Sequence, residues 1–177
     1  MSDPETDRVQ VVDWDASWLE RFNREESVLR ALLGDELRAL HHVGSTSVPG
    51  LCAKPVVDIL LEVHDLDGLD ARAPALDALG LKEMGEYGIA GRRYFDGRRT
   101  RGVHLHAFVS GSLGGRRHLA FRDYLRTHPE VARSYGLLKR SLAARFPLDR
   151  SAYSAGKDSF VSEHESLALQ WLQRQPG

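Results

Sequence analysis

The spacing of apolar positions divides the chain into elements. Between Trp14 and Leu33 they fall at Trp14, Trp18, Phe22, Val28, Leu29, Leu32 and Leu33. That is one helical stripe, with Asp15 or Ser17 placed to cap it and Gly34 to stop it. Residues 38–43 read as a lead into a loop, Gly44-Ser45-Thr46-Ser47-Val48-Pro49-Gly50. The β-branched run KPVVDILLEV at 54–63 predicts a buried strand. A helix is expected over 66–79, ending at Gly80, then short strands at 81–87 and 92–96. GVHLHAFV at 102–109 predicts another strand, followed by a glycine-rich turn at 111–115. Residues 116–127, 129–145 and 150–173 read as three helices, with Pro129 in a first turn and Pro147 as a separator.

This order predicts an α/β (α+β) fold with a small mixed sheet backed by helices. The sheet core is expected within residues 10–112 and a C-terminal helical tail within 113–175, in one domain over 1–177. The length of 177 residues fits one domain. Apolar residues at 42% and charged residues at 28% exclude disorder, collagen and coiled coil as overall classes. The single cysteine, Cys52, cannot form an intramolecular disulfide. Its plainer reading is a small buried apolar residue. No apolar run reaches the ~18 residues a membrane helix needs, and Met1 to Asp7 lacks the apolar stretch of a signal peptide. The expectation is a cytoplasmic protein with no membrane partner.

Three constellations carry candidate chemistry. The first is the 44–50 loop with Asp58. Glycines let backbone N–H groups approach an anion, and the hydroxyls of Ser45 and Thr46 add donors. The plainer reading of the loop is a tight turn. No Walker A spacing is present. Asp58 is flanked by Val56, Val57, Ile59, Leu60 and Leu61, so its carboxylate must be paired, metal-bound or at an exposed strand end. Lys54 or an arginine within 92–101 would be the partner in a purely structural ion pair.

The second constellation is His104 and His106. At i and i+2 on a strand they share a face with Phe108, while Val103, Leu105, Ala107 and Val109 would face the core. Beside the Asp58 strand they would form a 2-His-1-carboxylate set suited to a divalent metal. They could equally contact phosphate, supply a general base, or be surface histidines.

The segment HHVGSTSVPGLCAKPVVDI at 41–59 resembles the signature of the GrpB family, which itself looks like a branch of the nucleotidyltransferase superfamily. The resemblance extends to VVDWDASWLERFNREE at 11–26, RRYF at 92–95, HLHAF at 104–108, HLAFRDYLRTHPE at 118–130 and YSAGKDSFV at 153–161. It implies a nucleotidyltransferase-like fold that binds a nucleotide or related phosphate compound with a divalent metal (Mg, Mn or Zn). Gly44, Ser45 and Asp58 match the superfamily's phosphate loop and first metal carboxylate. The second acidic position is occupied by Leu60, and Val109 stands near the place of the third. Glu62 cannot replace the second, because it lies about 13 Å from Asp58 along a strand. On this reading the catalytic and metal residues are Asp58, His104 and His106. The phosphate-binding residues are Gly44, Ser45, Thr46, Lys54, Arg93 and Lys157. Some family members resemble fusions to a dephospho-coenzyme A kinase domain. That implies a second reading, a non-catalytic nucleotide- or coenzyme A-related binding module.

Charge is the third constellation. The net charge is −1. It conceals a segment, 92–145, with 13 basic and 3 acidic residues, against 8 basic and 18 acidic over 1–91. Such a block would draw in phosphates or RNA, or would simply pair with the acidic half. An RNA-binding adaptor is therefore a third reading, disfavoured by the scarcity of aromatics among the arginines.

Overall fold

A computed structural model describes residues 8–175. Helix α1, Ser17–Leu33, lays Trp18, Phe22, Leu29 and Leu33 against a sheet and stops at Gly34, whose φ of 54° suits glycine. Five strands follow: β1 Leu37–Val43, β2 Val57–Val63, β3 Lys82–Glu83, β4 Arg93–Gly97 and β5 Val103–Val109. Their order is β1-β2-β5-β4-β3, with β2 and β5 parallel and all other pairs antiparallel. The sheet is mixed, as expected. The parallel pair requires a crossover, which residues 64–102 supply through α2 Leu66–Asp70, α3 Ala73–Ala78, β3 and β4.

Alternation gives the sheet two faces. Val57, Ile59, Leu61 and Val63 of β2, with Val103, Leu105 and Ala107 of β5, pack under α1, α2 and α3 as the main core. The opposite face carries Asp58, Leu60, His104, His106 and Phe108. Helix α4, Leu113–Thr127, covers part of it, and Gly114 is required there because a Cβ would stand 2.3 Å from the Phe108 ring. Helices α5 Pro129–Arg145, α6 Arg150–Ala155 and α7 Asp158–Gln173 follow, and Leu125 of α4 and Tyr135 of α5 pack on Val48 and Leu51 with Phe160 and Val161 of α7 against them. All strands lie within 37–109 and the last four helices within 113–173.

Several local expectations need correction. Residues 37–43 form strand β1, not a lead into a loop. A bulge between Leu37 and Ala39 breaks the two-residue period there, hiding the strand. The helix expected over 66–79 is broken at Ala71-Arg72 into α2 and α3, and that over 150–173 at Gly156-Lys157 into α6 and α7. Helix α4 begins at Leu113, inside the expected turn, because the Ser112 side chain accepts from the Gly115 N–H at 3.3 Å. Val109, expected in the core, is exposed where β5 ends.

Candidate functional site

Between the Asp58 face of the sheet and the tail helices lies a cavity of about 530 Å³. Gly44, Ser45 and Thr46 line it from the loop, Asp58, His104 and His106 from the sheet, and Lys54, Lys139 and Lys157 from its far side. The loop is held rigidly. Arg126 donates to the Ser47 carbonyl at 2.7 and 3.0 Å, Arg122 to that of His42 at 3.2 Å, and the Trp14 indole to that of Thr46 at 3.1 Å. The Thr46 hydroxyl is bonded to His42 at 2.9 Å, so it is committed within the protein. Gly44 has φ 70°, and a Cβ there would meet Asp58 Oδ2 at 2.5 Å. Glycine is what lets the loop backbone pass against that carboxylate.

Asp58 is the centre of the sheet end. In register it faces His104, with His106 on the diagonal. His106 Nε2 lies 3.0 Å and His104 Nδ1 3.3 Å from the same oxygen, Oδ1. Burial pushes the Asp58 pKa up, but the two imidazole hydrogen bonds outweigh it and hold the carboxyl well below the usual range. Arg92 approaches His106 Nδ1 at 3.3 Å. A guanidinium only donates, so Nδ1 accepts and the His106 proton sits on Nε2, toward Asp58. His104 Nε2 lies 3.6 Å from Asp96 Oδ1, beyond a hydrogen bond. Behind His106, His118 is held neutral down to about 4 by burial.

The opposite end is cationic. Lys54 and Lys157 stand over the Tyr153 ring at 5.5 and 4.7 Å, and Lys139 over Tyr135 at 4.6 Å. Lys139 also donates to the Cys52 carbonyl. Among the described residues none of the three has a carboxylate within ion-pair distance. Burial lowers all three pKa values, that of Lys139 to about 7 and that of Lys157 to about 8. Lys54 and Lys157 also repel one another, while Asp58 pulls both upward.

The expected metal ligands were Asp58, His104 and His106. Both imidazoles are spent on one carboxylate oxygen, and the second nitrogen of His106 faces a cation. Among the described residues no group of three or more His, Cys, Asp or Glu side chains is arranged to hold a metal ion. The arrangement as it stands is a hydrogen-bonded acid–imidazole cluster in a cavity that three lysines also line.

A family model described as GrpB protein matches residues 8–166. The chain belongs to the GrpB family. It is 40% identical to the UPF0157 protein YqkA of Bacillus subtilis over 93% of its own length, but spans only 48% of that relative. Its fold matches the crystal structure of conserved protein GrpB from Enterococcus faecalis with a TM-score of 0.87 and 36% identity, covering 93% of this chain and all of that one. A dephospho-CoA kinase of Mycolicibacterium paratuberculosis is 27% identical over 92% of this chain, which corresponds to 46% of that protein.

Within this GrpB-family chain, the geometry gathers Gly44, Ser45, Thr46, Lys54, Asp58, His104, His106 and Lys157 around one cavity. Arg93 does not join them. It begins β4 opposite Ala107, on the core-side parity, and forms a two-pronged pair with Asp70 at 2.7 and 2.8 Å. Its neighbour Arg92 enters the cavity instead. Tyr94, Asp96 and Lys139 were also not anticipated. Tyr94 and Asp96 face His106 and His104 across the strand pair. Alternation on β4 could have indicated both, because Phe95 marks the core parity. Part of the basic segment is paired inside the protein. Arg101 pairs with Glu25, Arg117 with Glu165, Arg122 with Asp123 and Arg140 with Asp13. No helix among the described residues is long and apolar enough to cross a membrane.

Proposed function

We propose that this cavity binds a nucleotide or a related phosphate compound, with phosphate among Lys54, Lys139 and Lys157. The observation carrying the reading is that three lysines, Lys139 buried and Lys54 and Lys157 half-buried, line one cavity with no carboxylate within ion-pair distance. Burying such charge costs free energy, and an incoming phosphate offsets that cost by charge-assisted hydrogen bonds. A volume of about 530 Å³ lies within the ordinary range for small-molecule sites. The Gly44–Ser45 loop would frame the phosphate, and the Asp58–imidazole cluster would meet the polar group at the other end.

Between transfer and binding alone, the geometry favours binding. The second acidic position, Leu60, is sealed against Val43 and Phe108, so no paired carboxylates stand on β2. Asp58 is held at low pKa, which makes it a weak proton acceptor. The similarity to dephospho-CoA kinases supports a nucleotide or coenzyme A-related ligand without specifying a reaction. Metal-dependent nucleotidyl transfer, with Mg, Mn or Zn on Asp58, His104 and His106, is the alternative, and the same experiment addresses it. Calorimetric titration with ATP, dephospho-coenzyme A and tripolyphosphate, each with and without Mg²⁺ or Mn²⁺, is expected to show metal-independent binding. In a Lys54→Met/Lys157→Met variant that binding should weaken at least tenfold. Unchanged affinity in the double variant would refute the reading. Nucleotidylated product after long incubation with metal would turn it toward transfer.

A further inference from the structure

The mouth of the cavity is formed by the loop between β3 and β4, where Tyr87 is the one non-glycine residue among those described with a left-handed backbone, φ 44°. A bulky residue rarely adopts this conformation, and holding it there costs free energy that surrounding contacts must offset. Arg92 supplies those contacts. It donates to the Tyr87 carbonyl at 2.6 Å and the Glu86 carbonyl at 3.1 Å, while its third branch reaches His106. The loop is thus fastened directly to the acid–imidazole cluster.

The ring that this backbone presents is stacked on Tyr94, with centroids 4.8 Å apart and planes 8° from parallel. Tyr94 is buried and continues the row inward, touching His104 and His106 at 5.4 and 5.3 Å. Tyr87 is 62% exposed. One face of its ring is therefore covered by Tyr94 and the other is open at the rim of the cavity that holds the three lysines. A rigid, pre-stacked aromatic face beside a phosphate-binding end selects a ligand with a flat ring at one end and phosphate at the other.

We infer that Tyr87 is the stacking platform for the heteroaromatic base of a nucleotide whose phosphates lie among Lys54, Lys139 and Lys157. This rests on the phosphate-binding reading above and adds the chemical class of the ligand's other end. Sugar phosphates and inorganic polyphosphates lack the ring and bind more weakly.

The test is calorimetry on the full chain with ATP and tripolyphosphate, using wild type, Tyr87→Phe and Tyr87→Gly. Glycine suits the left-handed position, so its variant folds without backbone strain, which a thermal melt verifies. Wild type should bind ATP about tenfold more tightly than tripolyphosphate, the low-to-middle range for one stacked base. Tyr87→Phe should keep that advantage. Tyr87→Gly should lose it and leave tripolyphosphate affinity unchanged. The inference is overturned if wild type shows no preference for ATP, if Tyr87→Gly keeps the preference or weakens both ligands alike, or if Tyr87→Phe loses it. Tripolyphosphate binding without ATP preference sinks the stacking role alone. Failure of both ligands to bind wild type sinks the phosphate-binding reading and this one with it.

Discussion

At the sheet end of the cavity, Asp58 is half-buried with two imidazole nitrogens on one oxygen and the Gly44 backbone against the other. At the other end, Lys139 is buried and Lys54 and Lys157 are half-buried against aromatic faces and a carbonyl, with no carboxylate within ion-pair distance. The two ends answer burial differently. Asp58 is held more firmly charged than a free carboxylate, whereas each lysine is pushed toward its neutral form. The first end is complete without a ligand and stabilises the empty protein. The second is a standing cost that a bound anion would offset. Each substitution below separates these two kinds of buried charge.

The largest effect belongs to the sheet end. Gly44→Ala forces a Cβ to 2.5 Å from Asp58 Oδ2 at a left-handed φ of 70°. The neighbour is a short side chain pinned by two hydrogen bonds, so it cannot step aside cheaply. A loss of about 3 kcal/mol is expected from conformational cost and displaced contacts together. Urea unfolding measures it, and a loss below about 1 kcal/mol would show that the loop and carboxylate are not locked together.

A smaller contrast has opposite signs at the two ends. Asp58→Asn keeps the shape but breaks the charge-assisted bonds to His104 and His106, and should destabilise the empty protein by about 2 kcal/mol. Lys157→Met removes a buried amine of similar length and should stabilise it by about 1 kcal/mol at pH 7. Thermal melts without ligand distinguish the two. Shifts in the same direction would contradict the division of the cavity into a satisfied and an unsatisfied end.

Much of this division could be read from the sequence, and the missing part has a definite physical origin. Asp58 inside an apolar run and the His104/His106 alternation identified the sheet end, because a two-residue period fixes which side chains share a face. The same rule applied to β4 separates Arg92, Tyr94 and Asp96 from Arg93 and Phe95. Without the start of the strand, Arg92 and Arg93 could not be ranked. The lysine end was less visible. Lys139 lies on the buried stripe of α5 with Tyr135 and Leu142, a spacing of four and three that marks it as inward-facing. Its meeting with Lys54 and Lys157 depends on how α5, α6 and α7 fold over the loop, which no local pattern encodes. The pairing of the basic segment was hidden for a related reason: Arg101 meets Glu25 across 76 positions of chain, and Arg117 meets Glu165 across 48. Only the fold reveals such pairs.

The smallest effect is a proton count, and it reads the lysine end directly. Lys139 titrates at about 7 and Lys157 at about 8, against 10.5 for a free lysine. Between those values the unfolded chain holds protons that the folded chain has released. The contribution of these lysines to stability therefore rises with pH from about 7 to 10.5. An anion reverses the preference, because it stabilises the charged amines and raises their pKa. Binding at pH 8 must then take up protons, from a fraction of one to about one per ligand. Titrating tripolyphosphate at pH 8 in two buffers of different ionisation enthalpy gives the count from the difference in observed heat, once the protons released by the ligand's own last ionisation are subtracted. Affinity should also fall as pH rises above 8, since more of Lys157 must be recharged for each binding event. The Lys157→Met variant should bind more weakly and take up fewer protons. Zero or negative uptake in the wild type would mean that the amines are already charged in the empty cavity, and the asymmetry between its two ends would not exist.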